Sequence, residues 1–103
     1  MRGTKFILDE EKILRDGEYD LDSIYETIEE IATKRAKLTK IAKNHYVTEH
    51  KNGVAHLGIL VFNHLSEYDW FTANVKEWTW ENDKEGNSDI IALLKKYNEG
   101  VWA

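Results

Sequence analysis

The side chains that could do chemistry here are four histidines, a long series of carboxylates and three serines; the 103 residues include no cysteine. Neutral imidazole is a good zinc ligand, and sites built from histidine alone exist. His45, His50, His56 and His64 nevertheless contain no pair at the i,i+4 spacing that sets two ligands on one helical face. His56 and His64 are eight apart, about 80° out of line at the standard helical period. The histidines therefore read as residues at the edge of a core, with a His-based metal-binding protein as an alternative. Nucleophilic catalysis has less to work with. No thiolate is available, and Ser23, Ser66 and Ser88 each sit where a helix start would use a hydroxyl as a cap. Gly3, Gly17, Gly53, Gly58, Gly86 and Gly100 are isolated from one another, so there is no phosphate-cradling loop.

The carboxylates are more suggestive. Asp16-x-Glu18-x-Asp20-x-Asp22 has the oxygen density that calcium wants, but the sixth and twelfth places counted from Asp16 are Leu21 and Thr27, where a helix-loop-helix calcium site needs Gly and Glu. Glu10-x-Lys12 after Asp9 looks like part of a nuclease metal centre, without the second, separated acid on a strand. These readings leave no enzyme, no metal and no cofactor to expect.

What remains is charge segregation. The formal net charge is −5. Residues 1–30 carry ten acids against four bases, residues 31–52 carry six bases against Glu49, and residues 53–103 carry eight acids against four bases. Carboxylates spaced along a stiff element can imitate a phosphate backbone and occupy a basic nucleic-acid channel. Asp16, Glu18, Asp20, Asp22, Glu26, Glu29 and Glu30 are the candidates for such contact, and an ordinary solvated helix face is the plainer explanation of them. The basic segment Thr33–Lys43, with Lys34, Arg35, Lys37, Lys40 and Lys43, could instead touch phosphate, although it lacks the interleaved aromatic rings of strand-binding proteins. It could also meet the acidic third of a second copy and give a homodimer. Of the tryptophans Trp70, Trp78, Trp80 and Trp102, most should be core. Trp80, beside Glu81, Asn82 and Asp83, is the expected rim anchor for a partner.

The elements that must position these residues follow from periodicity. Val54–Leu65 (VAHLGILVFNHL) is the longest apolar run and reads as a central helix enclosed on most sides. Leu21, Ile24, Tyr25, Ile28, Ile31, Ala32 and Arg35 mark the stripe of a helix from about Asp20 to Leu38, capped by Asp20 or Asp22 or by a Ser23-x-x-Glu26 capping box, with Glu30 and Lys34 as an i,i+4 pair. Lys5–Leu8 reads as an edge strand, Asp9–Arg15 as one or two helical turns ended by Asp16-Gly17, Thr39–Asn44 as a basic connection, and His45–His50 as a strand closed by the turn Lys51-Asn52-Gly53. After a break at Ser66–Asp69, residues 69–78 read as a helix ending near Trp78, although Trp78-Thr-Trp80 alternates like a strand. Glu81–Asn87 reads as a loop, Asp89–Tyr97 as a helix capped by Ser88 and stopped at Asn98-Glu99-Gly100, and Val101-Trp102 as a tail packed back. The fold class expected is α+β, an α-rich single domain over residues 1–103 with a small antiparallel sheet from Lys5–Leu8 and His45–Glu49; all-α is the alternative. Val54–Leu65 is too short to cross a bilayer, and MRGTKFILDEEK lacks the apolar segment of a signal peptide, so the expected location is cytoplasmic, with no membrane contact.

The segment KFILDEEKILRDGEYDLDSIYETIEEIATKRAKLTK and the ending GVWA resemble small acidic hypothetical proteins of bacterial mobile elements and phages, a context that includes anti-CRISPR inhibitors. The resemblance implies a protein that occupies the nucleic-acid-reading surface of a basic partner such as an RNA-guided nuclease; it transfers no individual residue. The expectation is thus a non-enzymatic inhibitor or adaptor acting through its acidic third, with a small nucleic-acid-binding module at residues 34–43 as the alternative.

Overall fold

In a computed structural model of the chain, residues 1–97 are described; the expected helix stop at Asn98-Glu99-Gly100 and the tail with Trp102 lie outside them. The chain begins with a strand, β1 (Arg2–Leu8), followed by two helices, α1 (Glu10–Asp16) and α2 (Leu21–Glu30). A hairpin follows, β2 (Thr39–Ala42) and β3 (His45–Thr48), and then a second helical stretch, α3 (Gly53–Gly58) with the short α4 (Asp69–Thr72). β4 (Val75–Asn82), β5 (Ser88–Asp89) and α5 (Ile90–Lys96) complete the described residues. The strands form one antiparallel sheet in the order β2-β3-β1-β4-β5. Its first four strands, joined by helical crossovers between β1 and β2 and between β3 and β4, have the connectivity of the split βαβ, or ferredoxin-like, arrangement. The class is α+β, as the periodicities predict.

Cross-strand pairs share a face of a sheet. Thr4 lies opposite both Tyr46 and Trp80, and Phe6 opposite Trp78, which puts every one of these side chains on the face that the helices cover. Against them pack Ile24, Ile28 and Ile31 from one helical stretch and Leu57, Leu60, Val61 and Leu65 from the other. Trp78 is 1% exposed, and its indole N–H donates to the Thr4 hydroxyl (3.0 Å), which in turn donates to the Thr79 carbonyl (2.9 Å). The opposite face carries Lys5, Ile7, His45, Val47, Glu77, Thr79 and Glu81.

Several expectations are corrected. Lys5–Leu8 belongs to the central strand, not an edge; with one face of an antiparallel sheet left open, a central strand alternates just as an edge strand does. The basic connection Thr39–Asn44 is largely β2, whose turn into β3 uses Asn44 at φ 62. Lysines are a usual dress for a sheet edge, and here they mask a strand. Residues 69–78 form only one helical turn before Val75–Asn82 takes up strand pairing, so the Trp78-Thr-Trp80 alternation outweighs the helical spacing. Strand β4 also takes the first two residues expected in the Glu81–Asn87 loop.

The caps differ too. Asp89, not Ser88, starts α5 by accepting from the Ala92 amide (3.2 Å), while Ser88 pairs with Trp80 in the sheet. Ser66 donates to the Phe62 carbonyl, and Ser23 donates to Asp20 in place of the capping box. The 20–38 helix is present in substance. It widens at Ile31–Arg35 into a turn with the Ala36 amide bonded to the Ile31 carbonyl (2.9 Å), and it ends where Lys37 adopts φ 59. Arg35, placed on the apolar stripe by spacing, is exposed, and Ala36 is buried in its stead, as a five-residue turn requires. The Val54–Leu65 helix forms, continuing through a similar wide turn at Ile59–His64 to Glu67, but it is not enclosed: Val54 is 53% and Phe62 37% exposed.

Candidate functional site

The acidic residues are set by two adjoining elements. Gly17, at φ 63, ends α1 by donating its amide to the Ile13 carbonyl, and Asp16 and Glu18 on either side of it are exposed. Asp20 precedes α2 and accepts a hydrogen bond from the Ser23 hydroxyl (2.8 Å). Along α2, Ile24 and Ile28 are buried, so Asp22, Glu26, Glu29 and Glu30 fall on the opposite, solvent-facing side. Asp22, Glu26 and Glu30 step by one turn plus a fraction, about 6 Å along the axis each time. All seven acids singled out by charge are exposed.

Part of this charge is answered inside the chain. Lys40 of β2 reaches Glu29 (2.7 Å), and Lys43 reaches Glu10 (3.2 Å) while lying 4.6 Å from the centre of the Tyr25 ring. The Tyr25 hydroxyl donates to the same Glu10 oxygen (2.6 Å). That bond and the nearby Lys43 hold the Glu10 carboxyl below its usual value, whereas burial and the Glu10 contact push Tyr25 up to about 12. The basic segment thus meets the acidic third of its own chain rather than standing apart from it. Arg15 lies 3.4 Å from Asp16. Among the described residues, Glu18, Asp22, Glu26 and Glu30 make no ion pair, and the expected Glu30–Lys34 pair is not formed.

At the start of α2 the acids border a groove that spacing did not reveal. Tyr19, Asp20, Ser23, Ile24, Thr27 and Trp70 line a hollow of about 190 Å³. Trp70 comes from α4 and is stacked on Tyr68 (centroids 5.1 Å apart). On the other side of Tyr19 a second hollow of about 260 Å³ contains Asp16, Glu18, Asp69 and Asn74, with Lys12 tied to the Ala73 carbonyl (2.6 Å). Trp80, the expected anchor, does not line this groove: it is half-buried on β4 and stacks on Phe62 (5.8 Å). No signal local to Trp70 distinguishes it from Trp80, because its place beside α2 depends on how the two crossovers pack.

The histidines occupy three separate places. His45 contacts Glu81 across the open sheet face; His50 and His56 stack on each other (4.7 Å); His64 is hydrogen-bonded to the Tyr68 hydroxyl (3.0 Å). No group of three or more His, Cys, Asp or Glu residues among those described could hold a metal ion. The His45–Glu81 contact passes over Gly3, where an added Cβ would lie 2.7 Å from Val47 Cγ1 and 2.8 Å from the Tyr46 carbonyl oxygen. On the basic side, Lys34, Arg35 and Lys37 are exposed and make no ion pair among the described residues. No helix among the described residues is long and apolar enough to cross a membrane.

No family model, no curated protein and no solved structure matches the chain.

Proposed function

We propose that the protein is a non-enzymatic inhibitor or adaptor that works in the cytoplasm by laying the solvent face of α2 on a basic, nucleic-acid-handling protein. The observation that carries this reading is the row Asp22, Glu26 and Glu30. These exposed carboxylates carry no internal counter-charge among the described residues and stand on a helix whose other face is anchored in the core. A helix already fixed by burial loses little freedom on binding, so its charges act as a preformed array. An RNA-guided nuclease, with its positively charged duplex channel, is one partner of the right character.

Reversal of Asp22, Glu26 and Glu30 to lysine tests the reading. With tagged protein as bait in a host lysate, the wild type should retain a partner that added duplex DNA displaces, and the reversed variant should lose it. Retention of the same partner by both, or of none by either, would remove the proposal.

A nucleic-acid-binding module is the second reading, favoured by Lys34, Arg35 and Lys37, which are exposed and make no ion pair among the described residues. It is weakened by the engagement of Lys40 and Lys43 with carboxylates. It is weakened again by the open sheet face, where among the described residues the one ring is the His45 imidazole, engaged with Glu81, and no Phe, Tyr or Trp stands ready to stack a base as on RNA-binding sheets of this connectivity. A gel shift at low salt with no retarded DNA or RNA would close it.

A further inference from the structure

Resting on the acidic-face reading, we infer that the groove between Tyr19 and Trp70 is the seat for an arginine side chain of the partner protein. Its lining includes the rings of Tyr19 and Trp70, the buried Ile24 and the exposed Thr27. Tyr19 is 39% exposed and Trp70 only partly buried, so both offer ring surface to an incoming group. Four carboxylates, Asp16, Glu18, Asp20 and Asp69, border this groove and the adjoining hollow. The single cation among the lining residues, Lys12, is spent on the Ala73 carbonyl.

The charge selects a cation, and the walls select which one. A guanidinium is planar, weakly hydrated and able to stack on an aromatic ring while its edge donates to a carboxylate. The ammonium of lysine is a compact, strongly hydrated point that loses water to enter such a cleft and cannot stack. An apolar side chain would fill the same volume, about 190 Å³, only by stripping water from the Asp20 carboxylate at its rim. A metal ion is a poor occupant, since no cluster of ligands of the required kind exists among the described residues. The Ser23 hydroxyl already holds one oxygen of Asp20 (2.8 Å), which fixes the carboxylate at the mouth.

The test uses the full chain and three short peptides of equal length: one bearing arginines alternating with glycine, one with lysine in place of each arginine, and one with norleucine. Titrations are run at constant ionic strength and read by calorimetry and by the indole N–H resonance of Trp70. The arginine peptide should bind about fivefold or more tightly than the lysine peptide and should shift the Trp70 resonance. Tyr19→Ala should abolish that preference, while Tyr19→Phe, which keeps the ring, should retain it. Equal affinity for arginine and lysine with an unmoved Trp70, tighter binding of the norleucine peptide, or no binding at all would overturn the groove assignment. The acidic-face reading is judged separately within the experiment. Asp22→Lys with Glu26→Lys should weaken both cationic peptides alike, and no change for either would sink that reading whatever the groove does.

Discussion

At the scale of single residues, the sheet is held to its register by contacts that tolerate little change. Gly3 is needed for space: its φ is not of the left-handed kind, but an added methyl would press on the Tyr46 carbonyl, which is backbone and cannot move aside. Gly3→Ala should therefore destabilise the fold by about 1–3 kcal/mol, the usual cost of overpacking, seen as a lower urea midpoint. The Tyr25–Glu10 bond makes a pH prediction. Tyr25 titrates near 12 in the folded chain against an ordinary 10.0, so its contribution to stability is complete below pH 10 and disappears as pH rises through about 12. Tyr46, buried, is also raised to about 12. A spectrophotometric titration should show both phenols ionising late, and Tyr25→Phe should remove one of the late steps. The same variant should let the Glu10 carboxyl return towards its ordinary value. Glu10 is depressed in the folded state, so its stabilising effect is present above pH 4.5 and is lost as pH falls through the lower folded value. None of this was legible in the chain alone, because Glu10, Tyr25 and Lys43 meet only through tertiary packing.

At the scale of elements, strong periodicity was readable and edges were not. The stripe Ile24, Ile28, Ile31 announced α2, whereas over residues 69–78 helical spacing outweighed the Trp78-Thr-Trp80 alternation and β4 was missed. β2 was hidden because all four of its residues are exposed and it therefore shows no alternation. The position of β1 was hidden because antiparallel centre and edge strands share a pattern. The link between β1 and β4 offers a direct check. The Thr4 hydroxyl satisfies the indole of Trp78 in a buried site, so Thr4→Val keeps the shape and orphans the donor. It should cost about 1–3 kcal/mol in a denaturant titration without altering the slope. Removal of the Lys40 side chain is the contrasting case. The Lys40–Glu29 pair is exposed, so Lys40→Ala should change stability by less than about 1 kcal/mol, yet it liberates Glu29 and should tighten binding to a basic partner.

At the scale of the whole molecule, the segregation of charge along the chain is folded into partial neutralisation. The block of bases comes back over the block of acids through β2, leaving Glu18 and the row Asp22, Glu26 and Glu30 without a counter-ion among the described residues. The acidic face was legible as composition; how much of it survives as net charge was not, because that depends on which strand lies against α2. Affinity for a basic partner should fall steeply as salt is raised, since exposed charges are screened beyond a Debye length of about 10 Å at 0.1 M, and a contact unmoved by salt would contradict the charge argument. The same arrangement has a bearing on how copies of the chain behave at high concentration. β2 is a border strand with Ile41 52% exposed, and the charges of Lys40 and of Lys43 just beyond it discourage a second strand from pairing there. Acetylation of Lys40 and Lys43 would cancel both charges at that border and leave Glu29 and Glu10 without a counter-ion in one step, so the acetylated chain should associate edge to edge more readily, read as a rise in light scattering with concentration.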